Sequence, residues 1–416
     1  MNIAVIGAGI SGLGAAYLLS RAHSVRLFER EPRLGGHAHT HDVTVDGRPR
    51  VVDTGFLVYN ERTYPNFIRL LTQLGVQGRP SDMSFSVRCR RCGLEYASPT
   101  LRTLFAQPWR VADPRHLRLL LDITRFFRHA RAFLASGRGP DVPLGTLLDE
   151  GGYGDGLGRH FLLPMTGAIW SASFDDMRAF PARTILQFLD NHGLLARSGA
   201  PRWYTIAGGS HTYVRAIASR LGPTVVSGEP VTAVHRTEAG AEVATAAGRR
   251  ERFDKVVIAT HADEALRLLA DPSPRERELL GAFRYSRNRT VLHTDVTALP
   301  ARRTAWASWN CDLRDCRDTR TPVSLTYHVN RLQGITGGPE FCVTLNGPEP
   351  ATGTTLAEMD YAHPILDGAA VAAQPGIAAL NGERHTYYCG AHLRYGFHED
   401  GLVSALNVAA HFGVSL

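Results

Sequence analysis

The chain has 416 residues, 44% of them hydrophobic and 20% charged, and a formal net charge of +7. That length predicts two domains, and no run of about 18 apolar residues offers a membrane span. Six cysteines do not make a disulfide framework in a chain this long, and the basic charge, almost all arginine because Lys255 is the one lysine, comes with no nucleic-acid-binding module, so nucleic acid is excluded as a partner.

The chain opens almost directly on a strand, so no leader is expected. Residues 2–6 are an apolar run of the kind buried on both faces of a parallel sheet. Gly7-Ala8-Gly9-Ile10-Ser11-Gly12 follows and fits the G-x-G-x-x-G fingerprint, with a helical pattern behind it. Gly7 permits the tight turn, Gly9 lets the backbone approach a pyrophosphate, and Gly12 lets the helix pack on the strand. Ile10 and Ser11 begin the helix, whose unpaired N–H groups and dipole favour an anion. A second strand, 24–28, runs into Glu29, about 20 residues beyond the glycines, where the fingerprint places a carboxylate for ribose hydroxyls. An acid there disfavours a 2′-phosphate.

Next come Arg30 and the pair Gly35-Gly36, then His37, His39 and His41 in alternation, which on a strand would share one face. No metal site is expected from them or elsewhere. Cys89-Arg90-Arg91-Cys92 reads as a hairpin turn with two incidental thiols, because no second C-x-x-C and no thioredoxin-like pattern accompanies it. Over 115–134, Arg115, Arg118, Arg125, Arg128 and Arg131 interleave with leucines and phenylalanines at the period of an amphipathic helix. Two readings stand: a peripheral membrane contact that takes up lipid, and a domain helix with a solvated arginine face.

Several segments carry a resemblance. Arg30-Glu31-Pro32-Arg33-Leu34-Gly35-Gly36-His37 resembles the R-x-G-G segment of FAD proteins of the glutathione reductase and amine oxidase superfamily. Trp203 to Ser210, Val231 to Val234, Phe253 to Thr260, Tyr387 to Ala391 and Gly396 to Gly401 resemble its later cofactor elements. Over nearly its whole length the chain is similar to a bacterial family of amine oxidase-like NAD/FAD-binding proteins of the amine oxidase and phytoene desaturase superfamily. Members are often encoded beside cyclopropane fatty acid synthase-like enzymes.

The resemblance implies an α/β fold of the two-dinucleotide-binding-domain, glutathione reductase type. A Rossmann-like FAD-binding domain would come from 1–60, 203–272 and 375–416, interrupted by an α+β substrate domain from 61–202 and 273–374. It implies FAD as cofactor, held by Gly7, Gly9, Ile10, Ser11, Gly12, Glu29, Arg30, Gly35, Gly36, His37, Val231, Gly390, Glu399, Asp400, Gly401, Leu402 and Val403. One departure is Gly390-Ala391, where amine oxidases usually carry Gly-Glu.

The activity implied is an FAD-dependent oxidoreductase acting on a hydrophobic substrate, an unsaturated or methylated fatty acyl chain of a membrane phospholipid, by desaturation, oxidation or double-bond isomerisation. The alternatives are a flavin amine or amino-acid oxidase and a non-catalytic FAD-containing partner of a lipid-modifying enzyme. The expected location is the cytoplasm, with peripheral contact at the inner membrane face. His192, Tyr327 and His328 are the candidates for chemistry, the histidines because they exchange protons near neutral pH. Lys255 opens a strand of the cofactor domain, so the lysine that many amine oxidases place near the flavin has no evident counterpart.

Overall fold

The computed structural model describes residues 1–137, 142–195 and 201–416. Five parallel strands form one sheet in the order Val225–Ser227, Ser24–Glu29, Asn2–Ile6, Lys255–Ile258, Thr386–Tyr388. The apolar run at the N-terminus is its central strand because both faces are covered. Ile3 and Val5 point into one core with the helices Ile10–Leu19, His211–Leu221 and His398–Ala410. Ala4 and Ile6 point into the other, beneath an antiparallel meander of Val231–Thr237, Gly240–Thr245 and Arg250–Phe253.

A second sheet has seven strands in the order Thr355–Ile365, Arg284–His293, Cys342–Leu345, Ser324–His328, Trp309–Leu313, Phe85–Cys89, Leu94–Ala97. All its pairings are antiparallel except that of Trp309–Leu313 with Phe85–Cys89. Helices Pro114–Ala135, Leu163–Trp170 and Ala182–Asn191 build the rest of this domain. No described helix is long and apolar enough to cross a membrane.

Every strand of the parallel sheet comes from 1–60, 203–272 or 375–416. The helix Pro65–Leu74 lies beyond the expected boundary at 60, yet Phe67, Leu70 and Leu71 are buried in the same core as Ile3 and Val5. What holds it there is Glu399. Its Oε1 accepts from the Asn66 N–H (3.0 Å) and Nδ2 (2.7 Å), and its Oε2 from the Phe67 N–H (2.9 Å). No side chain of the helix's own N-cap, Tyr64, does this. A carboxylate from 332 residues away thus satisfies the orphan donors and faces the positive end of the dipole. Glu399 is therefore a helix cap, and it is not among the residues that line the large cleft.

The amphipathic pattern at 115–134 does form a helix, but its arginines are only partly free. Arg118 and Arg125 grip Asp122, buried at 1% side-chain exposure, and Arg131 donates to the Leu195 carbonyl at 2.7 Å.

Replacing Glu399 by Ala leaves two backbone donors and one amide unpaired in a half-buried setting. The expected loss is about 2 kcal/mol, the scale of a lost cap bonded to a charge. A lower midpoint of denaturant unfolding checks it; an unchanged midpoint removes the capping role.

Candidate functional site

Between the two domains lies a cleft of about 1150 Å³, larger than the roughly 300–1,000 Å³ of a site for one small ligand. Gly7, Gly9, Ile10 and Ser11 line one end. Gly7 has φ +99°, a left-handed value that favours glycine. A Cβ on Gly12 would sit 1.8 Å from the Gly7 carbonyl oxygen, so helix and turn can approach only without one. Gly9 differs: its backbone is extended (φ −72°, ψ −177°) and a Cβ there would meet nothing within 4 Å. The protein leaves open space exactly where the fingerprint brings a pyrophosphate against the chain.

Glu29 lines the same end; its carboxylate accepts from the N–H groups of Ala8 (2.7 Å) and Glu31 (3.0 Å). Arg30, Gly36, His37, Val231 and Gly390 also line the cleft. Arg30 is paired with Glu264 at 2.7 Å. Gly35 stands behind the wall at φ +114°, where a Cβ would strike the Ala38 carbonyl oxygen at 2.5 Å. His37 sits in a turn, not on a strand, and its buried Nε2 has no hydrogen-bond partner among the described residues. An orphaned buried nitrogen beside a glycine-lined anion cradle is what a dinucleotide site would show before its ligand is added.

The C-terminal helix and the residues just before it present Gly396, Phe397 and His398 to the cleft. Asp400, Gly401, Leu402 and Val403 do not line it, contrary to expectation. Asp400 accepts from the Phe397 N–H at 3.0 Å, and Leu402 packs where a Cβ on Gly14 would lie 2.9 Å away. A Cβ on Gly401 would meet Ile10 and Ser11 at 2.7 and 2.8 Å, so this glycine lets the last helix lie on the first.

Of the candidates for chemistry, His192 and Tyr327 line the cleft. His328 does not: its Nε2 bonds Glu340 at 2.7 Å on another side of the sheet. Adjacent strand residues point to opposite faces, so Tyr327 and His328 cannot share a site. Lys255 is also remote, its Nζ 2.8 Å from His385 Nδ1. Sequence reading missed Arg33, Phe56, Trp309, Tyr361, His363 and His398, all in the cleft wall. Arg33 stood in the Arg-x-Gly-Gly pattern itself, and Tyr361 and His363 share a face by strand alternation.

The histidines of the cleft are neutral at ordinary pH. Burial pushes His192 and His363 down to about 4 and His392 and His398 down to about 3, and holds His37 well below the usual range. His398 lies flat on Phe56 (3.7 Å between ring centres) with its Nε2 2.8 Å from the Tyr213 hydroxyl. His192 Nδ1 is 2.8 Å from the Phe188 carbonyl, which can only accept, so Nε2 is the lone-pair nitrogen and takes the Thr63 hydroxyl at 3.2 Å.

A model of the flavin-containing amine oxidoreductases matches residues 10–324, and the chain belongs to that family. AofH of Mycobacterium tuberculosis, a protein designated a flavin-containing monoamine oxidase, is 26% identical over 296 residues, which are 67% of this chain and 61% of AofH. The chain thus spans about three fifths of that relative's length. Its fold is also that of a conjugated-linoleic-acid-producing fatty acid isomerase from P. acnes (TM-score 0.67, 14% identity, 99% and 98% of the two chains). Cyclohexylamine oxidase from Brevibacterium oxydans shares it as well (TM-score 0.64, 18% identity, 99% of each chain).

Two outcomes follow. A Gly9→Val side chain is tolerated by backbone and neighbours, so the variant folds; only a bound dinucleotide would collide with it. At about 1–3 kcal/mol for such overpacking, flavin affinity falls about 10- to 100-fold, read by fluorescence titration. Wild-type affinity would separate Gly9 from the cofactor.

The second concerns acid. The four histidines with folded values near 3–4 return to about 6.5 on unfolding, so between those limits the unfolded chain binds more protons. Their full stability is present above about pH 6.5 and is lost as pH falls, at about 1.4 kcal/mol per pH unit for each histidine. Thermal midpoints drop steeply between pH 6.5 and 4, and a His398→Phe variant shows a shallower drop. A flat profile would mean these imidazoles are not buried neutral.

Proposed function

We propose that the chain is an FAD-dependent oxidoreductase that takes a hydride from an apolar acyl chain. The observation that carries this is the division of the cleft. Its charged groups come from the nucleotide-binding segments and from the strands Arg284–His293 and Thr355–Ile365 at one side of the mixed sheet. The opposite end is walled by Met83, Ile169, Trp170, Phe188, Trp309 and Tyr327, with no charged side chain among them. A chamber of that chemistry favours hydrocarbon and penalises an ionised group.

FAD, when bound, supplies a two-electron acceptor for a hydride from carbon. The residues do the rest. The chamber excludes water and orients the chain. Positive charge left on an allylic carbon would be met by aromatic faces, among them Trp309 and Tyr327, whose rings stand edge to face at 4.9 Å. Return of that hydride to the far end of the allyl system would move the double bond and leave bound FAD oxidised, with no net proton to place. His192, its lone pair already engaged by Thr63, positions the wall more than it accepts protons.

A side cavity of about 290 Å³ shares Phe188, His192, Tyr395 and Phe397 with the chamber and is lined further out by Arg62 and Arg394. In this reading Arg62 and Arg394 hold the carboxylate or phosphate head of an acyl substrate whose tail enters the chamber, in a cavity that Glu399 and Asp400 also line. A membrane surface is the proposed source. Leu101, Trp109, Val111 and Leu121 are exposed at 57–74% within residues 101–121, a stretch that also carries Arg102 and Arg115. The same aromatic walls favour a second reading, oxidation of an amine held by ring faces.

The test is an anaerobic absorbance spectrum of the flavin-loaded protein with vesicles of mono-unsaturated phospholipid, with free fatty acids, and with polyamines and amino acids. Bleaching by lipid, or a shifted double bond in the recovered lipid, is expected. Trp309→Ala lowers kcat/KM about 10- to 100-fold, the cost of losing one large apolar wall contact. Arg394→Gln raises KM for the acids most. Bleaching by amines alone replaces the acyl reading with the second one.

A further inference from the structure

The turn Cys89-Arg90-Arg91-Cys92 does not stand alone in the folded chain. Cys89 ends the strand Phe85–Cys89, and Cys92 lies in the turn before Leu94–Ala97, with Gly93 after it at φ +60°. Cys316 follows the strand Trp309–Leu313, which runs parallel to Phe85–Cys89 with Leu313 opposite Cys89. His160 comes from a third element, a single π-helical turn at Gly158–Leu162. The three sulfurs and one imidazole nitrogen all lie within 4.8 Å of one another, and Cys92 Sγ is 3.5 Å from Cys316 Sγ. His160 Nε2 is buried and has no hydrogen-bond partner among the described residues.

We propose that these four side chains form a structural zinc site. A tetrahedral zinc with bonds of about 2.3 Å to sulfur and about 2.0 Å to nitrogen needs ligand atoms about 3.5–3.8 Å apart. The four atoms therefore close on a metal with shifts below about 1 Å. Soft thiolates with one imidazole select zinc over calcium or magnesium. Four protein ligands leave no open position, which marks the site as structural and not catalytic. The orphaned Nε2 gains its partner, and a π-turn presents it. That turn is fixed from behind by Tyr96, whose hydroxyl donates to the His160 carbonyl at 2.7 Å.

Binding converts three thiols to thiolates and releases three protons, so the dication with its ligands carries one negative charge. Arg110 supplies a neighbouring positive charge; its guanidinium donates to the carbonyls of Cys92 (3.4 Å) and Gly93 (3.1 Å). None of the four ligands lines the large cleft. The metal instead ties the far ends of two strands whose near ends carry Met83, two residues before Phe85, and Trp309. The site was half visible as a C-x-x-C; its other ligands lie 68 and 224 residues beyond Cys92 in the chain. The expectation of no metal gives way to this proposal.

The test uses the full chain purified under reducing conditions without chelator. Elemental analysis is expected to find one zinc per chain. After stripping and addition of cobalt, the intense visible bands of tetrahedral thiolate-bound cobalt appear and vanish when zinc is added back. Cys92→Ser, at an exposed turn, loses the bands while keeping its flavin absorbance; should that variant fail to fold, the wild-type cobalt spectrum decides. Fully reduced protein that retains neither zinc nor tetrahedral cobalt overturns the proposal. So does peptide mapping that finds Cys92 and Cys316 joined as a disulfide in freshly isolated protein.

Discussion

One buried carboxylate joins the parts of the chain that must meet for a cleft to exist. Asp53, 1% exposed, ends the strand Arg48–Asp53. It accepts from Ser210, through backbone N–H (2.9 Å) and hydroxyl (2.7 Å), from the Thr40 hydroxyl, and from Gln333 Nε2 at 3.1 Å. Gln333 returns the contact by accepting from the Asp53 N–H at 2.9 Å. Thr40 belongs to the nucleotide-binding segment, Ser210 stands at the start of the helix that follows the glycine pair at 208–209, and Gln333 belongs to the mixed-sheet domain. Burial alone raises the Asp53 carboxyl, while Thr40 and Ser210 pull it back down, so the charge is tolerated only while all partners stay in place. Relative placement of the two domains is thus set by a polar knot with no slack.

That knot lets the cleft have two unlike ends. Toward the parallel sheet it is built of glycine backbone, helix N-terminus and acid, which suits a diphosphate and its sugars. Toward the helices Leu163–Trp170 and Ala182–Asn191 it is aromatic and aliphatic. The ring of neutral histidines between them serves both: an uncharged imidazole offers hydrogen bonds without competing for a cation's place. Low pH would charge these rings together, and mutual repulsion among His37, His261 and His363 adds to the burial cost.

What could be read from the sequence was what is local in it. The fingerprint glycines, Glu29 and the Gly35-Gly36 pair act through their own backbone or a neighbour a few residues away, so their pattern survives as a string. The capping role of Glu399 was not legible because its partners, Asn66 and Phe67, are more than 330 residues away and the string shows only an acid at a helix start. His328 failed because strand alternation sends it away from the face that Tyr327 occupies. Trp309 and Phe56 were invisible for the opposite reason: an aromatic residue in a strand or loop is most often core, and only the meeting of two domains makes it a wall.

Family membership narrows the reaction and leaves the substrate to the chamber. The same fold serves a fatty acid isomerase and amine oxidases at identities of 14–18% to this chain. Here the one lysine of the chain lies at the far end of a sheet strand, bonded to His385. The inner wall offers aromatic faces and a thioether, and Arg62 and Arg394 line the side cavity together with Glu399 and Asp400. On the proposed acyl reading, the part of the substrate that reacts meets the aromatic wall, and its anionic head meets Arg62 and Arg394 in a cavity that Glu399 and Asp400 also line.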